Sequence, residues 1–158
     1  MYAFDPTPRS VEWVKQNVRT AKFVFHEVGL ASTDGTASFA PPRKADHASY
    51  SGGKSSKMHD PASPLFHVSR LATIMRRLGH QQIDLLKLDI EGFEYEAIDD
   101  MVSSGLRPQA LAVEFHHRMY GYSDKDTRRA VDELRRAGYV IFHVSATGRE
   151  YSFWRNAK

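Results

Sequence analysis

Apolar and polar residues alternate along the chain in segments of strand and helix length, and one segment stands apart from the others. Ile83–Ile90 is almost continuously apolar, which is typical of a buried strand in a sheet covered on both faces. Lys87 and Asp89 interrupt this run at alternate positions, so an extended chain places them, together with Glu91, on one face. A glycine then ends the extension, and apolar residues recur at helical spacing from Phe93 onwards. The pattern predicts a buried strand, an acidic turn and a helix.

The same reasoning predicts strands and helices along the rest of the chain. The other predicted strands are Tyr2–Asp5, Lys22–Leu30, Thr36–Phe39, Phe66–Ser69, Gln109–His116, Tyr139–Ser145 and Glu150–Arg155. The other predicted helices are Pro8–Asn17, Arg70–Leu78 and one that begins at Asp124 or Asp126 and ends near Ala137. Strands that alternate with helices indicate an α/β fold with a mostly parallel sheet. Two turn signals, Asp34-Gly35 and Thr147-Gly148, predict antiparallel hairpins, the second of them at the edge of the sheet.

One long segment has the composition of a loop. Pro41–Pro64 is rich in Pro, Ser, Gly and Lys, which predicts a flexible loop without core contacts. Its Ser51–Ser56 run lacks the G-x-x-x-x-G-K-[ST] spacing of a phosphate loop, so a nucleoside-triphosphate site is excluded. At 158 residues the chain is long enough for a single domain with a core of its own.

Composition and charge exclude several classes of protein. With 41% hydrophobic and 26% charged residues, the chain has the composition of a soluble globular protein. It holds no apolar run of about 20 residues that would span a membrane and no signal peptide, so a chain complete as given would be cytoplasmic. The absence of cysteine excludes disulfides and thiolate metal sites. The compartment stays unassigned.

Charge gives no indication of a nucleic-acid partner. The net charge of +3 is small, and the arginines of the last helix alternate with acids, as on a solvated helix face. The acidic side chains between Asp89 and Asp100 have no basic residue among them. Such a cluster repels phosphate and suits a cation, a proton transfer or a positively charged cofactor.

The candidate chemistry lies at the ends of two predicted strands. Asp89 and Glu91 follow the carboxyl end of the buried strand, where ligands bind in open α/β sheets. Acids in this position also stabilise a helix N-terminus, and that structural role stays open for both. Lys87 needs a partner in a buried strand. Glu114 shares a face with His116 on the next predicted strand, so we expect Lys87 to be buried beside Glu114.

Four stretches of the sequence resemble the FkbM family of S-adenosylmethionine-dependent methyltransferases. They read YAFDPTPRSVEW, VGLASTDGTASF, IDLLKLDIEGFEYEAI and LAVEFHH, and they cover most of the chain in the family's order. The LLKLDIEGFE segment is the most specific of them. The resemblance implies a Rossmann-like class I methyltransferase sheet with an antiparallel last strand. It also implies methyl transfer, usually to a hydroxyl oxygen of an acceptor.

The resemblance assigns three residues to the cofactor. Asp5 stands where the family places an acid that hydrogen-bonds the ribose hydroxyls of S-adenosylmethionine. Gly29 and Leu30 stand where adenine usually packs. Asp5 also has a structural interpretation, as the start of the following turn, and Gly29 has one as a turn glycine.

The resemblance places the catalytic candidates near the transferred methyl group. Asp89 and Glu91 fall beside it, with Lys87 on the same strand, while Glu114 and His116 end the neighbouring strand. Asp89, Glu91 or His116 would remove the proton from the acceptor hydroxyl. The carboxylates also permit a divalent metal, although the sequence assigns no metal ligand.

The sequence departs from the family at the glycine turn. Such methyltransferases begin with a strand and a G-x-G turn that holds the methionine end of the cofactor, and none of the ten glycines gives G-x-G. We therefore expect an N-terminally truncated fold that lacks a strand between Tyr2–Asp5 and Ile83–Ile90, and weak cofactor binding by this chain alone. The alternative is a non-catalytic binding or dimerisation module. Sugar, lipid, polyketide and peptide hydroxyls all remain open as acceptors.

Overall fold

The fold combines short strands with four helices among the residues that the structure describes. A computed structural model describes residues 1–42, 50–52 and 63–156. The strands are β1 (Tyr2–Phe4), β2 (Val24–His26), β3 (Gly29–Leu30), β4 (Gly35–Ser38), β5 (Leu65–Ser69), β6 (Leu85–Leu88), β7 (Ala110–Glu114), β8 (Tyr139–Val144) and β9 (Glu150–Arg155). The helices are α1 (Pro8–Asn17), α2 (Leu71–Leu78), α3 (Glu94–Ser103) and α4 (Asp124–Arg136). The predicted α/β class is confirmed.

The described strands form three sheets. β1 pairs with β2, β5 lies between β3 and β4, and the largest sheet has the order β6-β7-β9-β8. Three of these pairings are parallel and three are antiparallel. The sheets are therefore mixed rather than mostly parallel.

Two predictions in the first third of the chain are wrong. The segment Lys22–Leu30 is not one strand, because β2 pairs with β1 whereas β3 pairs with β5, and the chain bends at Glu27 between them. The turn at Asp34-Gly35 does not close a hairpin with the preceding strand, because β5 lies between β3 and β4. In both cases the pairing partner is a strand distant in sequence.

The C-terminal hairpin is confirmed. β8 and β9 are antiparallel, and β8 is the edge strand of its sheet. β9 lies between β7 and β8 and runs antiparallel to both. This pairing carries the turn before β9 to the carboxyl end of β7, where Glu114 lies.

One main core holds β6, β7, β9, α3 and α4 together. Its most buried apolar side chains, each less than 2% exposed, are Leu88, Tyr95, Ile98, Met101, Leu111, Phe115, Leu134 and Phe153. Burial of a large apolar side chain contributes about 1.5–3 kcal/mol, so this cluster fixes the strand ends that carry the polar candidates.

The predicted loop Pro41–Pro64 lies mostly outside the described residues, which omit residues 43–49 and 53–62. The expectation of no core contacts is wrong for residues 50–52. Ser51 is buried and bonds the backbone of Ala40 in both directions, at 2.8 and 3.0 Å. The amide of Gly52 donates to the carbonyl of Glu91 at 2.9 Å, so this short segment packs on the acidic turn. Among the described residues, no helix has the length and apolar character needed to cross a membrane.

Candidate functional site

A cavity of about 210 Å³ lies where β1, β3 and β6 end. Five of the predicted site residues line it: Asp5, Gly29, Leu30, Asp89 and Glu91. The other lining residues are Phe4, Pro6, Thr7, Ser10, Phe39, Tyr50, Ile90 and Phe93. The predicted cofactor residues and the acidic turn therefore share one cavity, although they belong to different sheets.

Asp5 holds the turn that leads into α1. Its Oδ1 accepts hydrogen bonds from the amide of Thr7 at 2.8 Å and from the hydroxyl of the same residue at 2.6 Å. The structural interpretation of Asp5 is therefore realised. Its Oδ2 makes no hydrogen bond with any residue that the structure describes. One carboxylate oxygen fixes the turn, and the other remains as an acceptor at the wall of the cavity.

Gly29 and Leu30 form an apolar wall on the same side of the cavity. Gly29 is a strand residue rather than a turn glycine, and a Cβ on it would lie 3.2 Å from Cγ1 of Val68 and 3.3 Å from Cγ of Pro6. Close packing therefore favours glycine at this position. The half-buried Leu30 packs against the main core.

The acidic turn has an unusual backbone. β6 ends at Leu88, so the extended alternation does not continue to Glu91, which adopts a φ of 51°. Glu94 is completely buried, and its carboxylate accepts hydrogen bonds from the amides of Ile90 at 2.9 Å and Gly92 at 3.0 Å. Glu94 thus holds the turn in shape. The sequence analysis did not single it out, although its place directly after the turn, at the start of a helix, was a signal.

His116 connects this turn to the end of β7. Its side chain is 4% exposed, with Nδ1 2.9 Å from Oε1 of Glu94 and Nε2 3.3 Å from Oε2 of Glu91. Nε2 also lies 4.0 Å from Oε1 of Glu114. Burial lowers the pKa of His116, but the hydrogen bond to Glu94 and the charges of Glu94, Glu91 and Glu114 outweigh it, so the net shift is upward.

Donor and acceptor atoms of Asp89, Glu91 and His116 all lie within 4.8 Å of one another. The structure therefore brings these three predicted residues into one cluster. Tyr120, which the sequence analysis missed, donates its hydroxyl to Oε2 of Glu91 at 2.7 Å. Burial and this contact with Glu91 raise the pKa of Tyr120 well above its ordinary value.

The predicted pair of Lys87 and Glu114 is wrong. Lys87 is 68% exposed and lies 3.0 Å from Asp89, because it shares with the exposed Leu85 a face of β6 that is not covered. Glu114 instead accepts a hydrogen bond from Arg149 at 2.7 Å. The antiparallel register of β9 on β7 places Arg149 there, and it could not be read from the sequence around either strand.

The comparison with known families gives one match. The family described as the methyltransferase FkbM domain matches residues 1–141, which include the cavity, the acidic turn and His116. No curated protein and no solved structure matches the chain.

Proposed function

The chain belongs to the FkbM methyltransferase family, and from this membership we propose that it transfers a methyl group from S-adenosylmethionine to a hydroxyl oxygen of an acceptor. The observation that carries the proposal is the shared cavity. An acid, an apolar wall and an acidic cluster, contributed by three strand ends, line one space. Ligands of α/β proteins bind at such strand ends.

The proposed donor site uses Asp5, Gly29 and Leu30. When bound, S-adenosylmethionine supplies a methyl carbon attached to a positively charged sulfur. Oδ2 of Asp5 accepts a hydrogen bond from a ribose hydroxyl, and the Gly29–Leu30 wall packs against adenine. The negative charge of Asp89 and Glu91 favours a cationic group at the other end of the cavity.

The size of the cavity limits what it holds. Sites for whole small molecules usually measure about 300–1,000 Å³, and this one measures about 210 Å³. The residues present fit the nucleoside part of the donor. No glycine turn of G-x-G type is available for its methionine end.

The proposed chemistry is an in-line displacement. The acceptor hydroxyl would give its proton to one of three groups of the acidic cluster, Asp89, Glu91 or His116. The donor would supply its methyl group to the acceptor oxygen, and the electron pair of the broken carbon–sulfur bond would remain on sulfur. Positioning of the two reactants supplies much of the rate. Lys87 and Glu114 lie beside this cluster, where Lys87 pairs with Asp89 and Glu114 with Arg149.

We also propose that β1 and β6 belong to one Rossmann-like sheet with a further strand between them. Among the described strands, β1 pairs only with β2 and β6 pairs only with β7, so each has an open edge. The carboxyl ends of both strands line the same cavity. A parallel strand, other than the nine described, would satisfy both edges and extend the donor site.

Titration with S-adenosylhomocysteine, followed by the amide shifts of the protein, tests the donor site. We expect weak binding that Asp5→Ala weakens about tenfold to a hundredfold, because a hydrogen bond to a charged group contributes roughly 1.5–3 kcal/mol. The matched control is Thr7→Val, which removes the hydroxyl bonded to Asp5 but keeps the carboxylate. Equal affinities of the wild-type and Asp5→Ala proteins would contradict the ribose assignment.

A further inference from the structure

Three potential metal ligands converge beside the cavity. One carboxylate oxygen each of Asp89 and Glu91 and a ring nitrogen of His116 lie within 4.8 Å of one another. Nε2 of His116 lies 3.3 Å from Oε2 of Glu91. Two ligands bound to one ion at about 2.1 Å lie about 3.0–3.4 Å apart when the angle between them is between a right angle and the tetrahedral angle. The spacing of His116 and Glu91 falls in this range.

The orientation of His116 is a second, independent observation. Its Nδ1 faces the buried carboxylate of Glu94 at 2.9 Å, which fixes the ring and makes Nδ1 the protonated nitrogen of the neutral form. Nε2 faces the carboxylate of Glu91 at 3.3 Å, and it is the ring nitrogen that would bind a metal ion in place of a proton. A carboxylate that holds the far nitrogen of a histidine is the usual support of a metal-bound imidazole.

The charges around His116 are also unbalanced. Four carboxylates lie in or beside the cluster, those of Asp89, Glu91, Glu94 and Glu114. Lys87 forms an ion pair with Asp89, and Arg149 forms one with Glu114. Lys87 is mostly exposed, so it can leave Asp89 without loss of buried contacts. The hydroxyl of Tyr120 orients Glu91 from the side. The surplus of negative charge favours a cation between the three ligands.

We propose that Asp89, Glu91 and His116 bind a divalent metal ion. One imidazole and two carboxylates form a mixed nitrogen and oxygen set, which favours a first-row ion such as Mn²⁺ or Zn²⁺ over Ca²⁺. Three protein ligands leave coordination positions open, as in catalytic rather than structural sites.

The catalytic role of the ion depends on the methyl transfer proposed above. The binding of the ion does not depend on it. An acceptor oxygen at an open position would be oriented towards the donor, and the charge of the ion would lower the pKa of its hydroxyl. This favours acceptors that offer two neighbouring oxygens, such as vicinal hydroxyls, because both can occupy open positions.

Binding of Mn²⁺ to the 158-residue protein, measured by electron paramagnetic resonance without cofactor, tests the site. We expect one ion per chain, displaced by Zn²⁺. Glu91→Gln and His116→Gln should each weaken Mn²⁺ binding at least tenfold. Asp89→Asn should act in the same direction, and its side chain is 35% exposed, so this variant remains informative where loss of His116 prevents folding.

Glu96→Gln is the matched control, because Glu96 is an exposed acid of the same segment outside the cluster. Its Mn²⁺ affinity should equal that of the wild type. Two results would overturn the site: a Mn²⁺ affinity equal to that of the wild type in the Glu91, His116 and Asp89 variants, or no binding at millimolar Mn²⁺. His116 would then be a protonated partner of Glu91. Failure of S-adenosylhomocysteine binding with intact Mn²⁺ binding would count against the proposed function alone.

Discussion

At the scale of single residues, the acidic turn depends on Gly92. Its φ of 107° is accessible to glycine and strained for other residues, and a Cβ on it would lie 2.3 Å from the carbonyl oxygen of Gly52. Glu91 and Tyr120, which contact each other, also have positive φ values, of 51° and 52°. Strain of this kind collects at functional sites, where surrounding contacts maintain it.

Substitution of Gly92 by alanine should therefore destabilise the protein strongly. The matched control is Gly105→Ala, because Gly105 has a φ of 75° but nothing within 4 Å of an added Cβ. We expect about 1 kcal/mol of lost unfolding free energy for Gly105→Ala, from backbone strain alone, and at least about twice that for Gly92→Ala. Urea unfolding measures both. Equal losses would show that residues 50–52 do not pack on the turn.

Site residues were predictable from the sequence where their positions depend on neighbouring residues, and they were missed where their positions depend on distant contacts. Asp89 and Glu91 follow the carboxyl end of a predicted strand, and the family resemblance placed His116 at the end of the neighbouring strand, so the three were expected to lie near one another. Glu94 was missed because a carboxylate is normally exposed, and its burial depends on the amides of a turn with unusual φ values. Lys87 was misplaced because the strand was expected to be covered on both faces, whereas Leu85 and Lys87 lie on an exposed face of β6.

At the scale of elements, α2 takes its N-terminal cap from another part of the chain. The helix has no side-chain cap of its own. The carboxylate of Asp34 instead accepts hydrogen bonds from the amide of Arg70 at 3.0 Å and from the hydroxyl of Thr73 at 2.7 Å. These contacts connect the β3–β4 turn to α2. The bond from Thr73, assisted by that from Arg70, holds the pKa of Asp34 below its ordinary value of 3.8.

Asp34→Ala should lower the unfolding free energy by about 0.5–1 kcal/mol at pH 7, since a capping carboxylate contributes about this much and solvent screens the exposed Asp34. A depressed carboxyl pKa stabilises the folded state above the ordinary value, and the contribution is lost as the pH falls through the folded-state pKa. The difference between wild type and variant should therefore be constant from pH 7 to pH 5 and shrink below pH 3.8.

Denaturant unfolding across this pH range measures the effect. Asp34→Asn, which keeps one oxygen acceptor, should lose less stability than Asp34→Ala. A difference that grows as the pH falls would contradict the cap.

Helices and strands were predictable where the residues that determine them are close together in sequence. α4 was predicted to begin at Asp124 or Asp126 and to end near Ala137, and it spans Asp124–Arg136, because its apolar spacing is clear. The capping box of Ser123 and Asp126 fixes its start at Asp124. The division of Lys22–Leu30 into β2 and β3, and the pairing of β4 with β5, depended on distant partners and could not be read from alternation.

At the scale of the whole molecule, two surfaces compete as the main binding site. One is the cavity at the ends of β1, β3 and β6. The other is a row on one face of the largest sheet, in which the exposed side chains of Leu85, Trp154 and Val140 and the partly buried Ala110 are cross-strand neighbours. Exposed apolar rows are typical of contact surfaces between proteins, so this face is the structural basis for the rival interpretation as a non-catalytic binding or dimerisation module.

Nuclear Overhauser contacts between S-adenosylhomocysteine and the protein test the proposed donor site, because they locate a weakly bound ligand. We predict contacts from the adenine protons to the methyl groups of Leu30 and from the ribose protons to the methyl group of Thr7, next to Asp5. Contacts from adenine to Leu85, Val140 or the indole of Trp154, without contacts in the cavity, would contradict the account and favour the rival interpretation.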